Sequence, residues 1–329
     1  MVESGTIKAL IVGSGVQGER YAKAQQSEPN SETALFDVDS KKAHLVATKI
    51  GVQTTDSFEK SLDWANLVYI CTPDHLHTEI AAAAIKQGKT VFCEKPLTTD
   101  LQDALYLQNL VSEYKTTFLV GNLLRLTPAF LQMKESVSNK ELGDIFSIRS
   151  TYLHNMAPYL KPGNWRLNQN FLYGGGSHPI DLACWIANEP VIEVQASAGI
   201  KMLPDYAHPE DYQIILKFKS GLLGHIWLNA NLQLPIHKTD LEIYGEKGTI
   251  ISDTSSQTLQ IYQKGEENFT SREFPKEFSI PKVVQILNNL VKGKSPSYYP
   301  LPNINEAVSL IKILDSVEKS IQTGKFVSI

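Results

Sequence analysis

The chain has 329 residues, of which 20% are charged, 42% hydrophobic and 9% aromatic, a globular composition long enough for two domains at roughly 150 residues each. Its 31 basic and 35 acidic residues leave a net charge of −4, and with no basic run to neutralise a phosphate backbone, no nucleic-acid partner is expected. Apolar stretches fall far short of the roughly 18 residues that span a bilayer, the opening MVESGTIK has no signal-peptide pattern, and Cys71, Cys93 and Cys184 lack the CxxC spacing of a zinc site. The expectation is a cytoplasmic protein with no membrane association and no bound metal.

Short apolar runs alternating with amphipathic stretches predict a βαβ unit over residues 1–122, with strands at 7–12, 34–37, 67–71, 90–93 and 118–120. The runs are nearly continuous in apolar residues, as parallel strands covered on both faces require. The first is followed by Gly13-Ser14-Gly15-Val16-Gln17-Gly18 and then a helical ERYAKAQQ. Between a strand and a helix, GxGxxG is a dinucleotide fingerprint. Gly13 makes the tight turn, Gly15 lets backbone amides approach a pyrophosphate, and Gly18 lets the helix pack on the strand. Asp37 ends the next strand, where a carboxylate accepts hydrogen bonds from a ribose 2′-hydroxyl and repels a 2′-phosphate. NAD is therefore favoured, although Ser40, Lys41 and Lys42 keep NADP open.

Capping-box patterns at Ser57 and at Thr99 with Gln102 predict helix starts, and an Ala-rich helix is expected to stop at Gly88. Thr72-Pro73-Asp74-His75-Leu76-His77 and Glu94-Lys95-Pro96 each follow a strand, at the sheet edge where ligands of doubly wound folds bind. His75 and His77 lack a third ligand at any convincing spacing, which argues against a metal. After Asn122 the pattern changes to strands at 145–153, 191–200, 211–218, 222–230, 239–244 and 258–262. In DYQIILKF, Tyr212, Ile214, Leu216 and Phe218 share one face. This second domain, 123–329, reads as an α+β unit with a large open antiparallel sheet. Residues 292–302 read as a loop and 305–323 as an amphipathic helix.

In this order the motifs resemble the Gfo/Idh/MocA family of glucose-fructose oxidoreductase and inositol dehydrogenase: GxGxxG with Asp37, TPxxxH (Thr72, Pro73, His77), EKP (Glu94, Lys95, Pro96), Gly121-Asn122 with Arg125, Trp165-Arg166 and His178-Pro179-Ile180-Asp181. The resemblance implies a Rossmann domain followed by a sheet that carries the substrate pocket and, on its exposed face, a homodimer or homotetramer interface. It implies a cofactor site that adds Thr72, Pro73, His77, Glu94, Lys95, Asn122 and Arg166 to the phosphate loop and Asp37. Glu94 and His77 would lie near the riboses and Thr72 near the nicotinamide. Lys95, preceding a cis Pro96, and His178 would be the catalytic pair, acting on a carbohydrate, cyclitol or sugar-derived alcohol or ketone.

One departure stands out. Where many family members carry Asp four residues before the histidine, this chain has Gly174. An adjacent carboxylate makes a histidine a better base, so His178 would have to work with Lys95 or with one of Tyr152, Tyr159 and Tyr173. His154, Asn155, Trp165 and Arg166 would form a loop over the substrate, with His237 on its rim. The same motifs are compatible with a redox-neutral hydrolase or epimerase that borrows and returns a hydride, and with a non-catalytic NAD-binding regulator.

Overall fold

The computed structural model describes residues 5–199, 202–203, 205–233, 239–255, 257–275, 279–294 and 299–329. His237 lies outside them. The chain begins β1 (Ile7–Val12), α1 (Val16–Gln26), β2 (Ser31–Phe36), α2 (Ser40–Ile50), β3 (Gln53–Thr54), α3 (Phe58–Trp64), β4 (Leu67–Ile70), α4 (His77–Lys86), β5 (Thr90–Cys93), α5 (Leu101–Tyr114) and β6 (Phe118–Val120). It continues through α6 (Pro128–Ser138), β7 (Ile145–Leu153), α7 (Phe171–Gly174), α8 (Ser177–Ala187), β8 (Val191–Ala198), β9 (Asp211–Phe218) and β10 (Leu223–Asn229). Then come β11 (Asp240–Gly245), β12 (Gly248–Asp253), β13 (Thr258–Gln263), β14 (Thr270–Glu273), α9 (Ser279–Val291), α10 (Ile304–Thr323) and β15 (Val327–Ser328).

These elements form two compact units, residues 1–123 with 278–311, and residues 124–277 with 312–329. In the first, six parallel strands run in the order β3-β2-β1-β4-β5-β6. The order reverses between β1 and β4, which opens a crevice at the carboxyl ends of those strands. All of β4 and β6 is buried, as strands covered on both faces must be. Helix α3 is capped by Ser57, whose hydroxyl accepts from the Lys60 amide at 3.3 Å. The expected box at Thr99 is displaced by one residue. Asp100 is the cap and accepts from the amides of Gln102 (2.7 Å) and Asp103 (3.0 Å), because a carboxylate outcompetes the neighbouring hydroxyl for those donors.

The described residues of 292–302 are irregular, as a loop should be, and the end of this loop also covers a sheet edge. The Val120 amide donates to Pro302 O at 2.9 Å and Leu119 forms an antiparallel bridge with Asn303, which covers the free edge of β6. Helix α9 lies against α1, where Gln25 Nε2 donates to Asn288 Oδ1 at 3.0 Å in the interior. The contiguous division expected after residue 122 and the compact units thus differ over 278–311. The apolar stripe of a helix shows that one face is covered but not which sheet covers it.

The second unit is built on a nine-stranded sheet ordered β14-β13-β12-β11-β7-β10-β9-β8-β15. It is mixed rather than purely antiparallel, because β7 and β10 pair in parallel. Those strands lie far apart in sequence and need a crossover, which α7, α8 and two further strands supply. Tyr212, Ile214, Leu216 and Phe218 are buried on one face, and α8 lies on that side against β7 and β10. The opposite face alternates half-exposed residues, including Ile215, Trp227 and Ile251. Strands β3, β12, β14 and β15 carry no sequence signal strong enough to be expected; three of them are only two to four residues long or fully exposed.

Candidate active site

In the first unit the phosphate loop follows from what its glycines touch. Gly13 has φ +103°, and a Cβ there would stand 2.7 Å from Cys71 O. A Cβ on Gly18 would stand 1.8 Å from Gly13 O, so α1 can approach β1 only with hydrogen at that position. A Cβ on Gly15, the residue that opens α1, would meet nothing within 4 Å. The open side of the loop is the amide-rich end of α1, with Val16 70% exposed, the arrangement that receives a pyrophosphate.

Asp37 Oδ2 accepts from the Ser14 amide (2.7 Å) and hydroxyl (2.6 Å), and Oδ1 from the Asp39 amide (3.0 Å). Burial alone would raise its pKa, but these hydrogen bonds outweigh it and hold the carboxyl below the usual range. Ser14 is thus a member of the site that the fingerprint leaves unspecified. Lys41 and Lys42 are exposed in the first turn of α2.

Glu94 is buried at the end of β5. Its Oε1 accepts from Tyr21 Oη at 3.0 Å and Gln17 Nε2 at 3.5 Å, and Oε2 from the Lys95 amide at 3.3 Å. Burial pushes its pKa up against the opposing pull of Lys95 and Tyr21. Tyr21, unremarked in the sequence, is the buried side of α1, three residues past Gly18. The Lys95–Pro96 peptide is cis, as the resemblance implies. His77 is 1% exposed, with Nδ1 2.8 Å from Pro96 O and Nε2 3.0 Å from Thr72 O. Both acceptors are carbonyls, so a neutral ring donates to one of them at a time. The residue ties the Thr72-Pro73 turn to the Lys95-Pro96 turn.

Asn122 is 2% exposed, and neither polar atom of its carboxamide has a hydrogen-bond partner among the described residues; the same holds for the Thr72 hydroxyl. Buried polar atoms of this kind call for a ligand. A dinucleotide, whose riboses and carboxamide carry both donors and acceptors, fits the loop, Asp37 and these orphaned groups. No cluster of His, Cys, Asp or Glu among the described residues has the grouping to hold a metal ion.

His178 belongs to the second unit. Its ring stacks on Tyr152 with centroids 5.0 Å apart and planes 26° apart. Tyr152 also stacks with His154 at 6.2 Å, and His154 meets Tyr159 at 5.8 Å. Of the three tyrosines considered beside His178, Tyr152 is in ring contact with it. Tyr173 instead donates to Glu318 Oε2 at 2.9 Å. Asp181, three residues beyond His178, is committed elsewhere: Arg125 holds both its oxygens at 2.8 and 2.6 Å, and both residues are 3% exposed. The space over Gly174 is occupied as well. A Cβ there would lie 2.7 Å from Gln169 Oε1, so a neutral carboxamide stands where an acid at 174 would reach.

Fold and phosphate loop together define an oxidoreductase of the nicotinamide-dinucleotide class. Residues 7–122 match the oxidoreductase family with an NAD-binding Rossmann fold, and residues 130–251 match the GFO/IDH/MocA C-terminal domain. The chain belongs to the Gfo/Idh/MocA family, and its cofactor is NAD. It is 25% identical to inositol 2-dehydrogenase of Rhizobium meliloti over 75% of this chain and 76% of that one. It is 26% identical to myo-inositol 2-dehydrogenase of Thermotoga maritima over 80% and 82%. Among solved structures, levoglucosan dehydrogenase in complex with NADH and levoglucosan superposes with a TM-score of 0.89 at 21% identity, covering 98% of this chain and 99% of that one.

Proposed function

We propose that the protein is an NAD-dependent dehydrogenase of a carbohydrate, cyclitol or sugar-derived alcohol, interconverting a carbinol and its ketone. The observation that carries this reading is the stacked Tyr152–His178 pair in the sheet domain of a chain whose first unit has the NAD loop. Bound NAD supplies the hydride acceptor. Removing hydride from a carbinol carbon requires that the hydroxyl proton leave as well, and Lys95 and His178 are the groups assigned to it. Burial pushes the Tyr152 phenol up, against the pull of Arg166, which keeps it protonated as a donor beside His178. Thr72, Asn122 and Asp37 bind and orient the dinucleotide, and the exposed Lys41 and Lys42 leave Asp37 to set the preference for NAD. Arg166, expected in the cofactor set, makes its ring contacts inside the second unit, with Trp165 and Tyr159.

The enzyme is further proposed to be cytoplasmic and to form a homodimer or homotetramer through the exposed face of the nine-stranded sheet. No described helix is long and apolar enough to cross a membrane. The test of the reaction is absorbance at the NADH band when polyols, cyclitols and sugars are offered with NAD⁺. Net NADH is expected with at least one, and product formed without NADH would instead establish redox-neutral chemistry. Lys95→Ala should lower turnover by about two orders of magnitude while NADH affinity stays nearly intact. Unchanged turnover would remove Lys95 from proton handling.

A further inference from the structure

Tyr21 is fully buried on the face of α1 that packs against the parallel sheet. Its ring stacks on Tyr69, with centroids 5.4 Å apart and planes 29° apart, and tilts against Phe92 at 5.1 Å. The stack is itself anchored. Tyr69 Oη donates to Gln25 Oε1 at 2.7 Å, and Gln25 Nε2 donates to Ser31 Oγ at 2.9 Å and to Asn288 Oδ1 at 3.0 Å. Side chains of α1, β4, β5 and α9 thus hold the Tyr21 ring in one place. A phenylalanine would fill the same cluster. The hydroxyl adds a bond of 3.0 Å to Glu94 Oε1, on a carboxyl that is itself buried. Gly121 leaves that carboxyl its space, since a Cβ there would stand 3.3 Å from Glu94 Cδ and Oε1.

The other oxygen of Glu94 accepts from the Lys95 amide at 3.3 Å, so one carboxyl joins α1 to the Lys95-Pro96 turn. Tyr21 and Gln17 donate to it, Lys95 attracts it, and the thiols of Cys71 and Cys93 act on it electrostatically. Burial pushes both thiols up and keeps them neutral. We propose that Tyr21 is a positioning residue for Lys95: through Glu94 it fixes the turn that presents the lysine for proton handling. The inference rests on the dehydrogenase reading, which assigns Lys95 that task, and brings a residue of α1 into it. An ionised Glu94 accepts at both oxygens, whereas a protonated one donates at one of them and loosens its hold on the turn. The Tyr21 bond favours the anion, so losing the bond raises the pH at which Glu94 ionises.

The first arm of the test is kinetic. Tyr21→Phe keeps the ring and removes the hydroxyl. Its kcat should fall about tenfold, the scale of one buried hydrogen bond, with the acid limb of the kcat–pH profile moved to higher pH. NADH affinity, read by fluorescence titration, should change by less than about twofold. In a Glu94→Gln background the same substitution should cost less than about twofold, because residues that act as a unit are not additive. An equal loss in both backgrounds would overturn the proposal, as would lost NADH affinity with kcat kept. The second arm needs no substrate. Reductive methylation with a ¹³C label keeps the charge of lysine, and the Lys95 signal is assigned by its loss in Lys95→Ala. Its titration should carry a step from Glu94 that vanishes in Glu94→Gln and moves to higher pH in Tyr21→Phe. If no alcohol yields NADH, the dehydrogenase reading fails, and this titration decides the positioning by itself. A displaced step supports it, and a step that is absent from the wild type or unmoved in Tyr21→Phe refutes it.

Discussion

At the scale of single residues, the site depends on a few carboxylates whose surroundings give them different tasks. Asp37 is held below its usual range by Ser14 and Asp39, which keeps it ionised for the ribose it is proposed to receive. Asp181 is consumed by Arg125 in a buried two-point pair beneath Trp185, whose ring lies 5.7 Å from the guanidinium. Glu94 is pushed up by burial and fixed by Tyr21. Because the folded-state pKa of Asp37 is depressed, its contribution to stability is present above the unfolded carboxyl value and is lost as pH falls through the folded one. Asp37→Ser should therefore flatten the acid limb of a melting-temperature profile. It should also raise the kcat/KM ratio of NADP to NAD, since the carboxylate that repels a 2′-phosphate is gone. An unchanged ratio would show that another group reads the ribose.

At the scale of elements, the segment that carries Trp165 to Gly176 consists of two single helical turns, Trp165–Asn168 and α7, held by side chains from elsewhere in its unit. Asn170 caps α7 through the Leu172 amide and donates to Glu318 Oε1 at 2.9 Å. Tyr173 donates to the other oxygen of Glu318, and Tyr212 donates to Asn170 Oδ1 at 3.1 Å. Tyr206 receives the Phe171 amide and donates to Gln169 O, each at 2.8 Å. Glu318→Ala strands the Asn170 and Tyr173 donors together and should cost about 1–3 kcal/mol. Because the same residues frame the segment leading to His178, turnover should fall more than NADH affinity does, a split that steady-state kinetics and cofactor titration read directly.

This network also shows where the sequence stops being informative. The glycine fingerprint, Asp37 and the strand ends are legible because each is a local pattern enforced by backbone geometry. Strands 7–12, 90–93, 118–120, 145–153 and 211–218 fall where their apolar spacing puts them. Nothing local says that Glu318 reaches Asn170, that Asp181 belongs to Arg125, or that Gln169 lies over Gly174. Those contacts join residues 148, 56 and 5 positions apart, or depend on a rotamer, and only the assembled unit decides them. His77 illustrates the same limit. Its place after TPxxx is visible, but its two carbonyl partners are set by how neighbouring turns meet.

At the scale of the whole molecule, the outer face of the nine-stranded sheet is a mosaic. Ile215, Leu223, Trp227 and Ile251 lie among ion pairs such as Arg149–Glu242 at 2.9 Å. Single exposed apolar residues are ordinary on a protein surface, and here His225, Arg149 and Glu242 stand between Ile215 and Ile251 along one row, so the proposed interface would join apolar and charged groups alike. Replacing Ile215 and Leu223 together by Glu should convert the proposed oligomer to monomer in sedimentation or light scattering, with the far-ultraviolet spectrum retained. A wild-type chain that already sediments as a monomer would dispose of the interface.

The cofactor unit is discontinuous along the chain, and this has a consequence for how it is made. Its sheet ends at β6, whose outer edge is covered by residues 302 and 303, and α1 rests on α9 through Gln25 and Asn288. During synthesis residues 1–123 leave the ribosome well before either cover exists. At about 5–20 residues per second, the wait for residue 303 is on the order of ten seconds or more. Through that interval the nascent Rossmann sheet has a bare parallel edge and an uncovered helix flank, surfaces that invite pairing with a neighbouring nascent chain. The nucleotide-binding half thus emerges ahead of the sheet domain and is finished only after most of that domain has been made.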